Sequence, residues 1–327
     1  MSWRSLLRGS RATAPPPGSP PICPEPLPVV QELFDRLDRI DRRLERLEAL
    51  SHGGRSVYVG DGRIMTKIRL RHWNMAFLLE AKDLLLAPPL VMNGYHEIDL
   101  TDYFVNAINE TDHCLDIGAN FGYFACIMGR WAPRGRVVAV EPDPKIFGLL
   151  RDNIYINNLE SLASPVNAAA SDCEGVLTLH RRVGRSGNTS LARVGDADLA
   201  RMGEPPSEAF QIRGLPIDAL LPEFQGRLDH MKIDVEGAEP LVLRGARETI
   251  AANPQLRIVM EWAPGQIQAA GFDPRGFTEE LAALGLVPAM IVTAGKTEPM
   301  SWDALVSCAY SPGILLCRRL SGSTSEP

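Results

Sequence analysis

The sequence predicts an α/β fold built on one mostly parallel sheet, and three observations predict it. From Asp112 onward, short apolar runs alternate with amphipathic stretches, the pattern of repeated βαβ units. The first run ends in a glycine-bearing turn, Asp116-Ile117-Gly118-Ala119-Asn120-Phe121-Gly122, that opens a helix. The second ends in an acid, Glu141, roughly twenty residues beyond the turn, which is the Rossmann-like layout of a nucleoside-binding crevice.

Seven runs read as strands: Cys114 to Ile117, Val137 to Val140, Pro165 to Ala169, Met231 to Ile233, Arg257 to Met260, Ala289 to Val292 and Ile314 to Cys317. Helices fit between them at Tyr123 to Trp131, Pro144 to Asn157, Pro240 to Ala251 and Phe277 to Leu284. Asp143 before Pro144 is a strong helix start, a capping carboxylate followed by proline at the first helical position. The longer insertion from Gly175 to Leu221 contains two strand-like runs, Val176 to His180 and Phe210 to Arg213, around a flexible Gly184 to Ser190 stretch. Connections over the carboxyl edge of a parallel sheet commonly complete the ligand site.

Upstream, residues 1–28 are rich in Pro, Ser, Arg and Gly without hydrophobic periodicity, so a disordered tail is expected, as for residues 321–327. Over residues 29–50, Leu33, Leu37, Ile40, Leu44 and Leu47 recur at spacings of four and three among charged residues, an a/d seam. It fits a short coiled-coil helix that joins two copies or a partner, or a helix packed on its own domain. Residues 51–110 read as an α/β lead-in covering one mouth of the sheet, and 111–320 as the ligand-binding domain.

Bulk properties narrow the function. Across 327 residues, 45% are hydrophobic and 23% charged, which suits a globular enzyme. The net charge of −6 argues against nucleic acid, whose binding draws on clustered Lys and Arg. Six scattered cysteines form no CxxC pair, so they are expected to be reduced, mostly buried and free of metal. No apolar run has the length of a membrane helix and no signal-peptide core is evident, which points to the cytoplasm.

The turn itself departs from the dinucleotide fingerprint. Asp116 and Phe121 stand where two of its glycines belong, and a carboxylate there would repel a pyrophosphate. S-adenosylmethionine, which carries a sulfonium and an ammonium but no phosphate, suits that charge; a nicotinamide-dependent oxidoreductase does not. Asp116, Gly118, Asn120 and Gly122 are therefore the expected donor contacts, with Glu141 accepting from the ribose hydroxyls. Asp172 fits the adenine amino group or is merely a turn residue.

These residues resemble a known family. Asp116 to Tyr123, then Val140-Glu141-Pro142, then Met231-Lys232-Ile233-Asp234-Val235-Glu236-Gly237-Ala238-Glu239 look like the FkbM-type methyltransferases, as do Gly94-Tyr95-His96-Glu97 and the pair Asn153 and Asn157. The resemblance spans roughly Gly94 to Cys317. It implies the seven-stranded methyltransferase sheet, S-adenosylmethionine as donor, and O-methylation of a hydroxyl on a sugar, glycolipid, polysaccharide or polyketide-like small molecule. Within it, Asp234 is the leading candidate for the base, with His96 as an alternative and Glu236 or Glu239 orienting acceptor or donor. Lys232 could instead simply pair with one of these acids. Glu261 and Asn188 are expected to meet the acceptor. A divalent ion between Asp234, Glu236 and Glu261 is conceivable, although adjacent carboxylates are commonly only hydrogen-bonding partners. The competing class is a donor-binding scaffold of a glycan-assembly complex whose heptad segment does the essential work.

Overall fold

The computed structural model describes residues 55–318, together with Glu32, Arg36, Leu37, Arg39, Ile40, Arg42 and Arg43. The expected tails and the heptad positions Leu33, Leu44 and Leu47 lie outside the described residues. The chain divides into two compact units, Met1–Glu48 and Ala49–Pro327. In the first, the positions named are helical; coiled-coil pairing of that helix is a proposal.

The second unit opens with an antiparallel sheet of β1 (Ser56–Gly60), β2 (Arg63–Leu70) and β3 (Trp73–Glu80). Alternation drives it, because Thr66, Ile68 and Leu70 on β2 and Met75, Phe77 and Leu79 on β3 are buried between more exposed neighbours. Helices Ala87–Asn93 and Ile98–Ala107 follow. The main sheet begins with β4 (His113–Ile117), β5 (Arg136–Val140) and β6 (Ala163–Val166). The chain then leaves it to form a small sheet of β7 (Ala169–Ser171), β8 (Gly175–Arg181) and β9 (Glu208–Pro216). It returns as β10 (His230–Ile233), β11 (Arg257–Trp262), β12 (Leu286–Val292), β13 (Lys296–Pro299) and β14 (Ser311–Arg318). The order across the main sheet is β13-β12-β14-β11-β10-β4-β5-β6, parallel from β6 to β11, with β14 reversed between β11 and β12.

The mostly parallel α/β sheet predicted from the sequence is present, with an eighth strand at its edge. All four residues of β13 are exposed, and its Lys, Glu and Pro blunt an edge that would otherwise pair with another chain. Side chains alternate across the sheet into two apolar layers. One layer joins Cys114, Val137 and Ala139 to helices Tyr123–Trp131 and Pro144–Ile156. The other joins Leu115, Ile117, Met231 and Met260 to Val242, Ile250 and Leu281.

Two expected elements are broken, each for a physical reason. The run Pro165 to Ala169 is not one strand: β6 ends at Val166, and Asn167 donates its amide to the carbonyls of Glu141 and Pro142 at 2.8 and 3.1 Å. The helix expected at Pro240 to Ala251 is two short helices, Glu239–Arg244 and Arg247–Ala252. The backbone at Gly245 passes so close to β7 that a Cβ there would lie 2.0 Å from the Ser171 carbonyl oxygen. Cysteine burial is also lower than expected: Cys114 and Cys126 are buried, Cys308 and Cys317 are partly so, and Cys173 is exposed. No helix among the described residues is long and apolar enough to cross a membrane.

Two asparagines fasten the lead-in sheet to the main fold. The Asn153 amide receives the Leu78 N–H at 2.6 Å and donates to the carbonyls of Leu78 at 2.9 Å and Phe121 at 2.7 Å. Asn157 treats Ala76 in the same way, at 3.1 and 2.7 Å. The pair thus replaces a missing neighbour strand along β3. Asn153→Ala strands buried backbone groups, so it should lower stability by about 3 kcal/mol. Urea denaturation measures this, and an unshifted midpoint would show the latch to be dispensable.

Candidate active site

The order of the main sheet reverses between β4 and β10, so the loops at the carboxyl ends of these strands part there and leave a crevice. A cleft of about 430 Å³ occupies it, within the roughly 300–1,000 Å³ of small-molecule sites. Gly118 forms part of its wall and must be glycine. Its φ is +73°, and a Cβ would lie 1.7 Å from the Asp234 carbonyl oxygen. Asn120, also left-handed at φ +50°, aims its N–H at Glu141 Oε2, 2.9 Å away. Glu141 Oε1 accepts from the Asp143 N–H at 2.8 Å. Burial nevertheless pushes the Glu141 carboxyl up to about 8, outweighing both backbone donors. Beside it, Val140, Ala168, Leu177 and Leu179 form an apolar wall.

Three expected donor contacts lie elsewhere. Asp116 is fully buried and does not line the cleft; it shares the layer of Cys114, since alternation along β4 sends Leu115 and Ile117 the other way. Burial raises its carboxyl to about 6 against the pull of Lys232. Gly122 serves helix packing: a Cβ there would meet Leu150 Cδ1 at 2.6 Å. Asp172 is exposed beyond β7, away from the cleft, because β7 has joined the small sheet.

Directly beside Gly118, the cleft wall also carries Asp234, and with it His96, Glu236, Glu261 and Asn188, all of them residues the sequence singled out. Asp234 Oδ2 lies 3.1 Å from Lys232 Nζ, so the ion pair raised as an alternative is present. Glu236, left-handed at φ +57°, accepts from the side-chain amides of Gln266 and of Asn188, the latter at 3.3 Å. Burial and the charges of Asp234 and Glu236 push Glu261 up to about 10, and Glu236 itself rises to about 8. Carboxylate oxygens of Asp234, Glu236 and Glu261 lie within 4.8 Å of one another. Their charge is answered internally, by Lys232, by two amides and by a retained proton. Burial holds the His96 imidazole down to about 4, leaving a neutral and weakly basic ring. Glu239 does not reach the cleft: it is buried and accepts from the N–H groups of Val235 and Gly237 at 3.2 and 3.3 Å, bracing the turn.

Several lining residues escaped the sequence reading. Glu97 comes from the quoted Gly94 to Glu97 segment, but nothing in its spacing set it apart. Tyr310 and Gln266 lie far along the chain and carry no local signal; only the fold brings them to Glu261 and Glu236.

A mostly parallel sheet with a reversed strand inserted beside β11, a small-molecule cleft at its switch point and an acid ending the second strand fit the methyltransferase class of α/β proteins. Residues 116–285, more than half of the chain, match the Methyltransferase FkbM domain, and the chain belongs to that family. It is similar to Methyltransferase sdnD of Sordaria araneosa, 27% identical over 191 residues, which is 48% of this chain and 74% of that protein. Methyltransferase 1 of Beauveria bassiana is 27% identical over 155 residues, 44% of this chain and 61% of its own length. The crystal structure of Methyltransferase FkbM from Methylobacillus flagellatus KT is 15% identical, with a TM-score of 0.39 over 64% of this chain and 44% of that one.

Gly118→Ala tests the cleft directly. The added methyl meets backbone, which cannot swing aside, and the left-handed φ adds strain. Ligand affinity at the cleft should fall at least tenfold, and stability by about 2 kcal/mol. Native affinity in this variant would show that β4 and β10 do not pack as described.

Proposed function

We propose that the chain transfers a methyl group from S-adenosylmethionine to a hydroxyl of a sugar, glycolipid, polysaccharide or polyketide-like small molecule. The observation that carries this reading is one cleft lined both by a nucleoside-type set, Gly118, Asn120 and Glu141, and by an acid-rich set around Asp234. Each Glu141 oxygen uses one lone pair on a backbone N–H and keeps another for a ribose hydroxyl. The adjoining apolar wall suits an adenine. In the acid-rich set, Asp234 complements the charge of a sulfonium, and the donor, when bound, supplies an electrophilic methyl there. Asn188, Thr189 and Ser190 line the same cleft and offer amide and hydroxyl groups to a polyhydroxylated acceptor. Catalysis needs these groups to align the acceptor oxygen with the methyl and to remove the hydroxyl proton.

Calorimetry with S-adenosylmethionine and S-adenosylhomocysteine tests the donor half. Hydroxyl donors favour the ionised form of Glu141, so affinity should rise as pH increases through about 8 and then level off. Glu141→Gln should weaken binding by about 1–3 kcal/mol and remove that rise. Binding indifferent to both pH and this substitution would take Glu141 out of the donor site. For the acceptor half, S-adenosylhomocysteine release is measured across sugars, glycolipids and polyketides. Donor binding without turnover on any of them would favour the scaffold alternative.

A further inference from the structure

We propose that Glu97 is the general base that receives the acceptor's hydroxyl proton. The inference deepens the methyl-transfer reading above and rests on it.

Geometry and charge together set Glu97 apart among the acids of the cleft. A proton taken by Asp234 would break its ion pair with Lys232. Glu236 already accepts from Asn188 and Gln266. Glu261, whose Oε2 lacks a hydrogen-bond partner among the described residues, is crowded by the carboxylates of Asp234 and Glu236 and keeps its proton near neutrality. Glu97 lines the cleft, yet its Oε2 is buried without a hydrogen-bond partner among the described residues. An acceptor hydroxyl that meets this carboxylate at the cleft wall displaces no hydrogen bond already made by Oε2. The main chain holds it there under strain: φ is +44° and ψ +67°, a left-handed conformation that a glutamate rarely adopts. Clamps on both sides enforce it. The Tyr123 hydroxyl receives the His96 N–H at 3.2 Å, and the Thr101 hydroxyl donates to the His96 carbonyl at 2.8 Å. His96 Nε2 stands 3.6 Å from Glu97 Oε1, and its depressed basicity leaves the ring neutral beside the carboxylate.

The charged and titratable groups facing Glu97 are His96, Asp234, Lys232, Tyr123 and Tyr310. Burial, then the charge of Asp234, push its carboxyl up to about 7, with Lys232 opposing. A base with that value combines availability and driving force near neutrality. In the step itself, a lone pair on the acceptor oxygen forms the bond to the methyl carbon. The methyl–sulfur bond breaks with its electron pair going to sulfur, which leaves as a neutral thioether, and the oxygen's proton passes to Glu97.

Infrared difference titration of the full chain, wild type against Glu97→Gln, tests this without an acceptor. With S-adenosylhomocysteine bound, the difference should contain one carboxyl titrating near 7. With S-adenosylmethionine, whose sulfonium favours the ionised form, it should titrate at least half a pH unit lower. On any acceptor methylated in the panel, Glu97→Gln should lower kcat roughly 100- to 10,000-fold and abolish the acid limb of the pH profile. Asp234→Asn should retain that limb but move it to lower pH, because the Asp234 charge helps raise Glu97. A Glu97 titration indifferent to the donor's charge, or an acid limb that survives Glu97→Gln, would overturn the assignment. If neither protein binds S-adenosylmethionine, it is the methyl-transfer reading that fails.

Discussion

One buried cation holds the acidic floor of the cleft together. Lys232 sits on β10, 4% exposed, with its ammonium 3.1 Å from Asp234, 3.9 Å from Asp116 and 5.1 Å from the centre of the Phe124 ring. Burial alone would favour loss of its proton, but Asp234, Asp116 and Glu97 more than reverse that, and the amine is held well above its ordinary value. A buried charge survives only when paired, because desolvation costs several kcal/mol per ion. The register explains the pairing: Lys232 lies directly beside Asp116 across β10 and β4, and Asp234 follows two residues later on the same face. Asp116 is thus counter-charge to the lysine, which accounts for an acid at the turn that does not line the cleft.

From this floor, contacts run outward to segments remote in sequence. Arg181 on β8 pairs with the buried carboxylate of Asp143. The Asp143 N–H in turn holds Glu141, and Glu141 holds the Asn120 N–H. Next to Asn120, Asp83 caps the N–H groups of Leu85 and Leu86 and accepts from both the backbone and the hydroxyl of Ser186. The stretch from Gly184 to Ser190, which its composition marked as flexible, is therefore tied down at Ser186 and turns Asn188 inward against Glu236. Lead-in and insertion become walls of one site because polar groups at their tips find partners there.

What the sequence revealed follows from how local each cause is. Strands β4, β5 and β10 were legible because an apolar run between turn residues needs no tertiary information. The acid at the end of β5 was legible because spacing along one βαβ unit fixes it. The break after Val166 was not, since it depends on the Asn167 side chain reaching the backbone of a neighbouring strand end. Nor was the split at Gly245, which reflects the approach of β7 from far along the chain. A carboxylate beside a glycine turn reads as a ligand group, and the place of Asp116 beside Lys232 rather than in the cleft lining emerges only once the partner across the sheet is known. For the same reason, Glu97 looked ordinary: its unpartnered oxygen is a property of the assembled cleft.

Charge conservation links these features in the proposed reaction. Lys232 is the one lysine or arginine among the described residues that line the cleft, against Glu97, Glu141, Asp234, Glu236 and Glu261. Burial and mutual repulsion lift Glu97, Glu141, Glu236 and Glu261, so the unliganded cleft lowers its charge by keeping protons. A cationic donor displaces that need. Methyl transfer then removes a positive charge from sulfur while the acceptor's proton neutralises a carboxylate a short distance away. The local net charge is the same before and after the step, so the fixed groups around it, Lys232 and Asp234 above all, need not reorganise. That is the condition under which preorganised electrostatics lowers a barrier most effectively.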